Sequence, residues 1–260
     1  SNLVPSGTVS SYVTSNHTVT IEDQTTVAQL LAINNATTGA ITLNVTTGAL
    51  TGSAADLTAA FAGTITEYTG DLTAIGSAAN LSQADAIFNA TRGTSTYAVA
   101  DLANTLAAAP SSATQMAALK SASLVTVNSS ALQNTIDMSG FSGDNTVNLT
   151  INGNIRDNTI TGGDGDDIIS SSSGDDTILG GLGDDTITSS TGSDSLVFST
   201  TAALNGSDTV ADFDASNDTI ELYFGGVSEI ANNAALRGAG NGYLEVASGG
   251  ALGTDAGLVV

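Results

Sequence analysis

The chain has 260 residues and a formal net charge of −22, from 26 acidic and only four basic side chains. Because phosphate groups are also negatively charged, this balance excludes nucleic acid and anionic membrane surfaces as partners. Cysteine is absent, which excludes disulfides and thiolate metal sites. No apolar run is long enough to cross a bilayer, so we expect no membrane insertion. Hydrophobic residues make up 41% of the chain, enough for one large domain or two ordinary ones.

Composition predicts three domains along the chain. Residues 1–138 are rich in Ala, Thr and Leu, whereas 139–221 are dominated by Gly, Asp, Ser and Ile. Residues 222–260 have a mixed composition. The acidic side chains of the middle region are mainly Asp placed among glycines. A merely solvated surface has no reason to select this combination, so the pattern favours cation binding.

The first region contains a weak internal repeat, in which TVAQLLAINNATTGA (26–40) aligns with NLSQADAIFNATRGT (80–94). Both segments predict short amphipathic helices that end at a glycine. A strand-like run follows each helix, and a looser helix–strand pair comes later: 41–45, 95–99 and 113–130. Helix–strand units in series predict a stacked α+β repeat domain that acts as scaffold.

The middle region consists of nonapeptide repeats. From residue 153 to residue 197 it reads GNIRDNTIT, GGDGDDIIS, SSSGDDTIL, GGLGDDTIT and SSTGSDSLV. The fourth residue is Gly in four of the five copies, the sixth is Asp or Asn, and the eighth is always Ile or Leu. Degenerate copies flank this block at 140–148, 203–211 and 213–221.

The pattern G-G-x-G-x-D-x-U-x resembles the repeats-in-toxin (RTX) family of calcium-binding proteins. Four consecutive copies in register make the resemblance specific. It implies a mainly β fold with a C-terminal parallel β-roll, a calcium-binding solenoid, preceded by the α+β domain of short helix–strand repeats. In such a roll each nonapeptide forms a six-residue turn and a three-residue strand. Two nonapeptides form one coil, and the eighth side chains stack inside.

The resemblance also implies several Ca²⁺ ions between the stacked turns. Carboxylates about 5 Å apart repel unless a cation lies between them, and Ca²⁺ takes six to eight oxygen ligands. Turn 162–167 would pair with 180–185, and 171–176 with 189–194. A third site could join 153–158 with 171–176, although Asn158 is neutral and Arg156 occupies a glycine position. The predicted ligands are the side chains of Asp167, Asp176, Asp185, Asp194, Asn158 and Asp218, and backbone carbonyls near Gly163, Gly165, Gly174, Gly181, Gly183 and Gly192. A metal-free glycine-rich solenoid is the alternative for the block. Around Asp212, Asp214 and Asp218 a solvated turn fits as well as a cation site.

Catalysis is not expected. The sequence has no nucleophile elbow, HExxH helix or phosphate loop, and its single histidine, His17, lies in a polar stretch. We expect a secreted structural or cell-surface protein of the S-layer or adhesin type, with self-association or a cell-surface partner. The resemblance adds a type I exporter as a partner, an export signal within 222–260, and folding driven by extracellular calcium. The alternative is the C-terminal export and folding module of a secreted RTX protease or lipase whose catalytic part is missing.

Overall fold

The structure, a computed structural model, describes residues 16–44, 49–63, 65–66, 68–199, 206–224, 227–229 and 245–246. The chain forms two compact units. Unit one consists of 1–100 and 113–123, and unit two of 101–112 and 124–260. The domain boundaries drawn from composition stay predictions. Most of the predicted C-terminal domain, 222–260, lies outside the described residues, and so does most of its expected export signal.

Unit one is a stack of short parallel strands and helices. Its strands are β1 (Val19–Ile21), β2 (Ile41–Leu43), β3 (Leu50–Gly52), β4 (Ile65–Thr66), β5 (Leu72–Ala74) and β6 (Ser95–Thr96). Its helices are α1 (Val27–Ala36), α2 (Ala54–Phe61), α3 (Leu81–Ala90) and, after α4 (Ala103–Leu106) of unit two, α5 (Ala113–Ser121). Strand β7 (Val99–Leu102) spans the sequence boundary between the units.

The strands of unit one form two three-stranded parallel sheets, in the orders β1-β2-β4 and β3-β5-β6. Ile41 is in register with Ile65, and Leu50 with Leu72, so one coil takes about 22–24 residues. Helix α1 packs on α2, α2 on α3, and α3 on α5. The helix–strand repeat expected for this region is therefore present, as a stack of coils with one helix each.

The aligned helices begin with the same local structure. Thr26 caps α1 and Asn80 caps α3, and each side-chain oxygen accepts the backbone N–H three residues later. The side chains of Gln29 and Gln83 accept the N–H of their cap residues in return. These capping boxes satisfy N–H groups that a helix start leaves unpaired.

The helices do not end at the glycines, so that detail of the prediction is wrong. Each ends at a threonine with extended backbone, Thr37 or Thr91, and the Thr hydroxyl accepts the N–H of Gly39 or Gly93. The glycines serve close approach instead. A Cβ at Gly93 would lie 2.6 Å from the carbonyl oxygen of Gly70 on the neighbouring coil.

Unit two is a parallel β-roll, which confirms the predicted mainly β fold. One sheet contains, in order, β8 (Val125–Asn128), β10 (Leu149–Asn152), β12 (Ile168–Ser170), β14 (Thr186–Thr188), β16 (Thr209–Val210) and β19 (Glu245–Val246). The other contains β9 (Thr135–Asp137), β11 (Thr159–Thr161), β13 (Thr177–Leu179), β15 (Ser195–Ser199), β17 (Thr219–Phe224) and the antiparallel β18 (Val227–Glu229).

The core of the roll consists of two ladders of eighth-position side chains. Ile169 is in register with Ile151 and Ile187, and Ile178 with Ile160 and Leu196. All six side chains are at most 1% exposed. Strands β8 and β9 extend the ladders towards the N-terminus with Val127 and Ile136.

The degenerate copy predicted at 140–148 is out of register with the roll. The strand beside β12 is β10, which places Ile151 in the core, while Val147 is only half-buried and lies outside a strand. Counting back in nines from residue 153 gives 144–152, which assigns Ile151 to the eighth position. The register of this coil is therefore set by its nine-residue spacing from the later repeats and not by the local Gly-Asp match at 140–148.

In the part of the chain that the structure describes, no helix combines the length and the apolar character required to cross a membrane.

Neighbouring isoleucines in β12 allow a matched test of the core ladder. Ile169 is 0% exposed and Ile168 is 56% exposed. We expect Ile169→Ala to lower the free energy of unfolding in calcium by about 3 kcal/mol, because it leaves a cavity. Ile168→Ala should cost less than about 1 kcal/mol. Urea unfolding followed by circular dichroism measures both, and equal losses would contradict the assignment of the inward face.

Candidate metal centre

The six-residue turns between the strands of the roll stack in two rows. In one row Asp167 donates its backbone N–H to Oδ1 of Asp185, at 2.8 Å. In the other row Asp176 donates its N–H to Oδ1 of Asp194, also at 2.8 Å. The structure therefore brings together the turns that the sequence paired, with one sixth-position carboxylate over the next.

This inner ladder of sixth positions continues beyond the regular repeats. Asp185 donates its N–H to Oδ1 of Asp208 at 3.0 Å, and Asp194 to Oδ1 of Asp218 at 3.1 Å. Asp218 was among the predicted ligands, but Asp208 was not. The signal for Asp208 was present, since it is the sixth residue of the degenerate copy 203–211.

The inner carboxylates are buried and only partly satisfied. Asp167, Asp176, Asp185 and Asp194 are each 1% exposed. Oδ2 of Asp167 accepts the N–H of Gly163 at 2.9 Å. By contrast, Oδ2 of Asp176, Asp185 and Asp194 is buried without a hydrogen-bond partner. A buried carboxylate oxygen in this state costs free energy unless a proton or a cation compensates it.

The same burial shifts the titration of these groups. Burial raises the pKa of Asp185 to about 8, against the opposing hydrogen bond from the N–H of Asp167, and the negative charge of Asp208 adds to the rise. Burial also raises the pKa of Asp167, Asp194 and Asp208 to about 6, and that of Asp176 in the same direction. Without a cation, these carboxyls therefore bind protons more tightly in the folded turns than in the unfolded chain.

The predicted glycines lie where one coil touches the next. A Cβ at Gly183, whose φ is +106°, would lie 2.5 Å from the carbonyl oxygen of Gly165. The other predicted glycines also lie close to a backbone carbonyl of the preceding coil: Gly163 to that of Phe141, Gly165 to Val147, Gly174 to Arg156, Gly181 to Gly163, and Gly192 to Gly174. The turns therefore bring carbonyl oxygens and carboxylates into the same small volume.

This donor set fits calcium. Among the described residues, no three His, Cys, Asp or Glu side chains form a metal-binding group by themselves. A cation in these turns would therefore draw on backbone carbonyls as well as stacked carboxylates, a mixture that Ca²⁺ accepts. The unpaired Oδ2 atoms of Asp176, Asp185 and Asp194 supply the negative charge. The ligand set as a whole stays a prediction.

A second ladder, at the fifth positions, was missed by sequence reasoning. Asp166, Asp175 and Asp184 are exposed, as expected. They also accept hydrogen bonds between coils: Asp184 donates its N–H to Oδ1 of Asp166, and Ser193 to Oδ1 of Asp175, both at 2.9 Å. The available signal was the recurrence of Asn or Asp every nine residues, at 148, 157, 166, 175 and 184.

Two serines take the place of glycine without changing the turn. Ser172 and Ser190 have φ values of 80° and 71°, in the left-handed region that the equivalent Gly181 also occupies, at 120°. The carboxylate of Asp212 accepts the N–H of Ser189 at 2.9 Å and of Ser190 at 2.8 Å. These hydrogen bonds hold the strained serine turn in place.

The acidic turn at 214–218 is also held by hydrogen bonds. Oδ2 of Asp218 accepts the N–H of Asp214 at 2.9 Å, and Asp214 in turn accepts from Ser216 and Asn217. These hydrogen bonds give Asp214 a pKa below its usual value. They explain the turn without an ion, so the solvated turn that the sequence left open gains support.

Asn158 differs from the other sixth-position residues. It is 2% exposed, and its backbone N–H donates to Oδ1 of Asp176 at 2.7 Å, as the ladder requires. Its side-chain amide, however, donates to the carbonyl of Gln133 at 3.2 Å and is therefore already paired within the protein. The residues of turn 153–158 do not fit a calcium site.

Comparison with known families agrees with the geometry of the roll. Residues 150–178 and 162–196 match the family described as RTX calcium-binding nonapeptide repeat (4 copies). Repeats of this family bind Ca²⁺ ions in multiples, and proteins that carry them are typically secreted. The matched residues contain four of the five predicted aspartate ligands, Asp167, Asp176, Asp185 and Asp194, and the whole of strands β11–β14. No curated protein and no solved structure gives a significant match to the chain.

The raised pKa values predict the pH dependence of the calcium-free roll. A folded pKa above the unfolded value of 3.8 means that the folded state binds more protons. That stabilisation is complete below the unfolded value and is lost as the pH rises through about 6 and about 8. In excess chelator, urea unfolding should therefore show lower stability at about pH 8 than at about pH 5.

The matched variants for this pH dependence are Asp185→Asn and Asp184→Asn. The first removes the buried group with the highest pKa and should flatten the decline above about pH 6. The second removes only an exposed charge that adds to the raised pKa of Asp208, so it should change the decline much less. A stability that increases with pH in chelator would contradict the assignment.

Proposed function

We propose that this protein is a secreted, calcium-binding structural or cell-surface protein, of the S-layer or adhesin type, whose β-roll folds when it meets extracellular calcium. The observation that carries the proposal is the set of buried, unpaired Oδ2 atoms on Asp176, Asp185 and Asp194. In each of these carboxylates Oδ1 accepts a main-chain N–H of the preceding coil, whereas Oδ2 has no hydrogen-bond donor.

In this proposal, the difference in free calcium concentration between the inside and the outside of the cell controls folding of the roll. Extracellular calcium modules bind with dissociation constants of about 10⁻⁴–10⁻³ M, well above free calcium inside a cell. In the cytoplasm, folding without calcium would have to bury these carboxyl groups either ionised and uncompensated or after uptake of protons. Both costs oppose folding and leave the chain suitable for export. Outside, calcium binding and folding are coupled because only the folded turns assemble the site.

The architecture of unit one supports a structural role. Its coils repeat at an almost constant spacing and stack their helices in sequence, as extended repeat proteins do. Such a stack grows by addition of like units and gives a long, regular surface suited to adhesion or to array formation.

A calcium titration of the full chain tests the proposal. In chelator at neutral pH, circular dichroism should show the roll largely unfolded, and millimolar calcium should restore β structure, whereas equal magnesium should not. Asp185→Asn should raise the calcium midpoint by about tenfold or more, since it removes a buried ligand charge. Asp184→Asn, the exposed neighbour, should change it by less than about twofold. A roll fully folded in chelator at this pH would contradict the proposal.

The alternative, an export and folding module of a secreted enzyme, is equally compatible with the family match, which covers the repeats at 150–196. The two candidates differ in what the calcium-loaded chain does next. A structural surface protein should form ordered assemblies in calcium, visible by light scattering and negative-stain electron microscopy and reversed by chelator. A calcium-folded chain that stays monomeric at high concentration would favour the export module.

A further inference from the structure

Turn 153–158 lies in the same row as the acidic turns 171–176 and 189–194 but has different chemistry. Its second residue is Asn154 and its fourth is Arg156, where the four regular turns between 162 and 194 carry only Gly or Ser. Its sixth residue is the neutral Asn158. With one Arg and one Asp, the turn has no net charge. It therefore has no excess negative charge for a cation to compensate.

Side-chain N–H groups of this turn bind the backbone of the preceding turn, 129–134. The amide of Asn154 donates to the carbonyls of Ser130, at 2.9 Å, and Gln133, at 2.6 Å. Nε of Arg156 donates to the carbonyl of Ala131 at 3.0 Å. Because each of these carbonyls already accepts a hydrogen bond, a cation there would have to displace the donors.

The same side chains also fix their own turn. Oδ1 of Asn158 accepts the N–H of Asn154 at 2.9 Å, and Oδ1 of Asn154 accepts the N–H of Arg156, also at 2.9 Å. The carbonyl of Asn158 then accepts the N–H of Thr177 on the next coil at 2.8 Å. The side chains of Asn154 and Asn158 thus accept hydrogen bonds within the turn, and the turn pairs with the first acidic coil through its backbone.

We infer that the amide and guanidinium groups of Asn154, Arg156 and Asn158 take the place of a calcium ion in this turn. Residues 129–161 then form a calcium-independent end of the roll, on which the acidic coils fold when calcium arrives. The inference rests on the proposed calcium-dependent folding of the later coils, and the two are separated by observing each segment on its own.

Hydrogen exchange with mass spectrometry on the full chain makes this separation. In chelator, the amides of 129–161 whose acceptors lie within this segment should keep their protection to within about threefold of the calcium value, whereas those of Leu149, Gly153 and Asn158 donate to the coils that open. Loss of protection in that segment on calcium removal would overturn the inference, whatever the rest of the roll does. Protection of 162–197 reports on the proposed function instead, and should fall by about tenfold or more in chelator.

Asn158→Ala tests the network directly, with Ile155→Ala as control. Ile155 is in the same turn and is 81% exposed. Asn158→Ala should lower the protection of 129–161 in chelator and leave the number of bound calcium ions unchanged, whereas Ile155→Ala should alter neither. Unchanged protection in Asn158→Ala, or a lost calcium ion, would overturn the inference.

The converse experiment restores the repeat pattern. The triple variant Asn154→Gly, Arg156→Gly and Asn158→Asp gives the turn a GGxGxD sequence. Equilibrium dialysis in calcium should then show one more bound ion per chain than the original protein. In addition, 129–161 should become sensitive to chelator. An unchanged calcium stoichiometry in the folded variant would contradict the substitution of an ion by side-chain donors.

Discussion

Unit two depends on carboxylates that are buried one strand spacing apart. A parallel roll repeats its backbone every coil, so a side chain at the sixth position always meets its counterpart on the next coil. The backbone N–H of one coil satisfies one oxygen of the next carboxylate and leaves the other buried, as at Asp185 and Asp194. Main-chain hydrogen bonding therefore satisfies only one oxygen of Asp176, Asp185 and Asp194. The second oxygen requires a proton or a cation, and Ca²⁺ suits the position because it accepts carboxylate and carbonyl oxygens together.

The turns are held by two ladders that run in opposite directions. In the inner ladder Asp167 donates its N–H forward to the carboxylate of Asp185, and in the outer ladder Asp184 donates its N–H backward to Asp166. Adjacent residues thus tie each coil to the next in both directions. This arrangement explains how a roll with few large side chains keeps a fixed turn shape. It also explains why Ser190 can adopt a left-handed backbone, since Asp212 holds the turn from the following coil.

The regular part of the roll was predictable because each requirement falls on one residue of nine. Glycine where coils touch, Asp at the sixth position and an aliphatic eighth residue set the coil, and β11–β15 follow from them. Changes of coil length were not predictable: Asp208 follows Asp185 by 23 residues instead of 18, and β9 has no Gly-Asp turn before it. In unit one, Gln29 and Gln83 revealed two helix starts. Helix α2, capped by Ser53, was not recognised because its sequence has too few residues in common with the two aligned segments. The end of α1 at Thr37 was not predictable because the Thr37 hydroxyl donates to the carbonyl of His17, which is distant in sequence.

Both rows of turns begin without a carboxylate at the sixth position. In one row Asn158 donates its N–H to Asp176, and in the other the apolar Leu149 donates its N–H to Asp167. Each first acidic group therefore gains a main-chain donor from a neighbour that adds no charge. Repulsion between sixth-position carboxylates arises only at the following step, when Asp185 stacks on Asp167 and Asp194 on Asp176. The need for calcium is thus located between acidic coils. In the order of folding inferred above, the coils before them, whose sixth positions are uncharged, order first and set the register for the ions that follow.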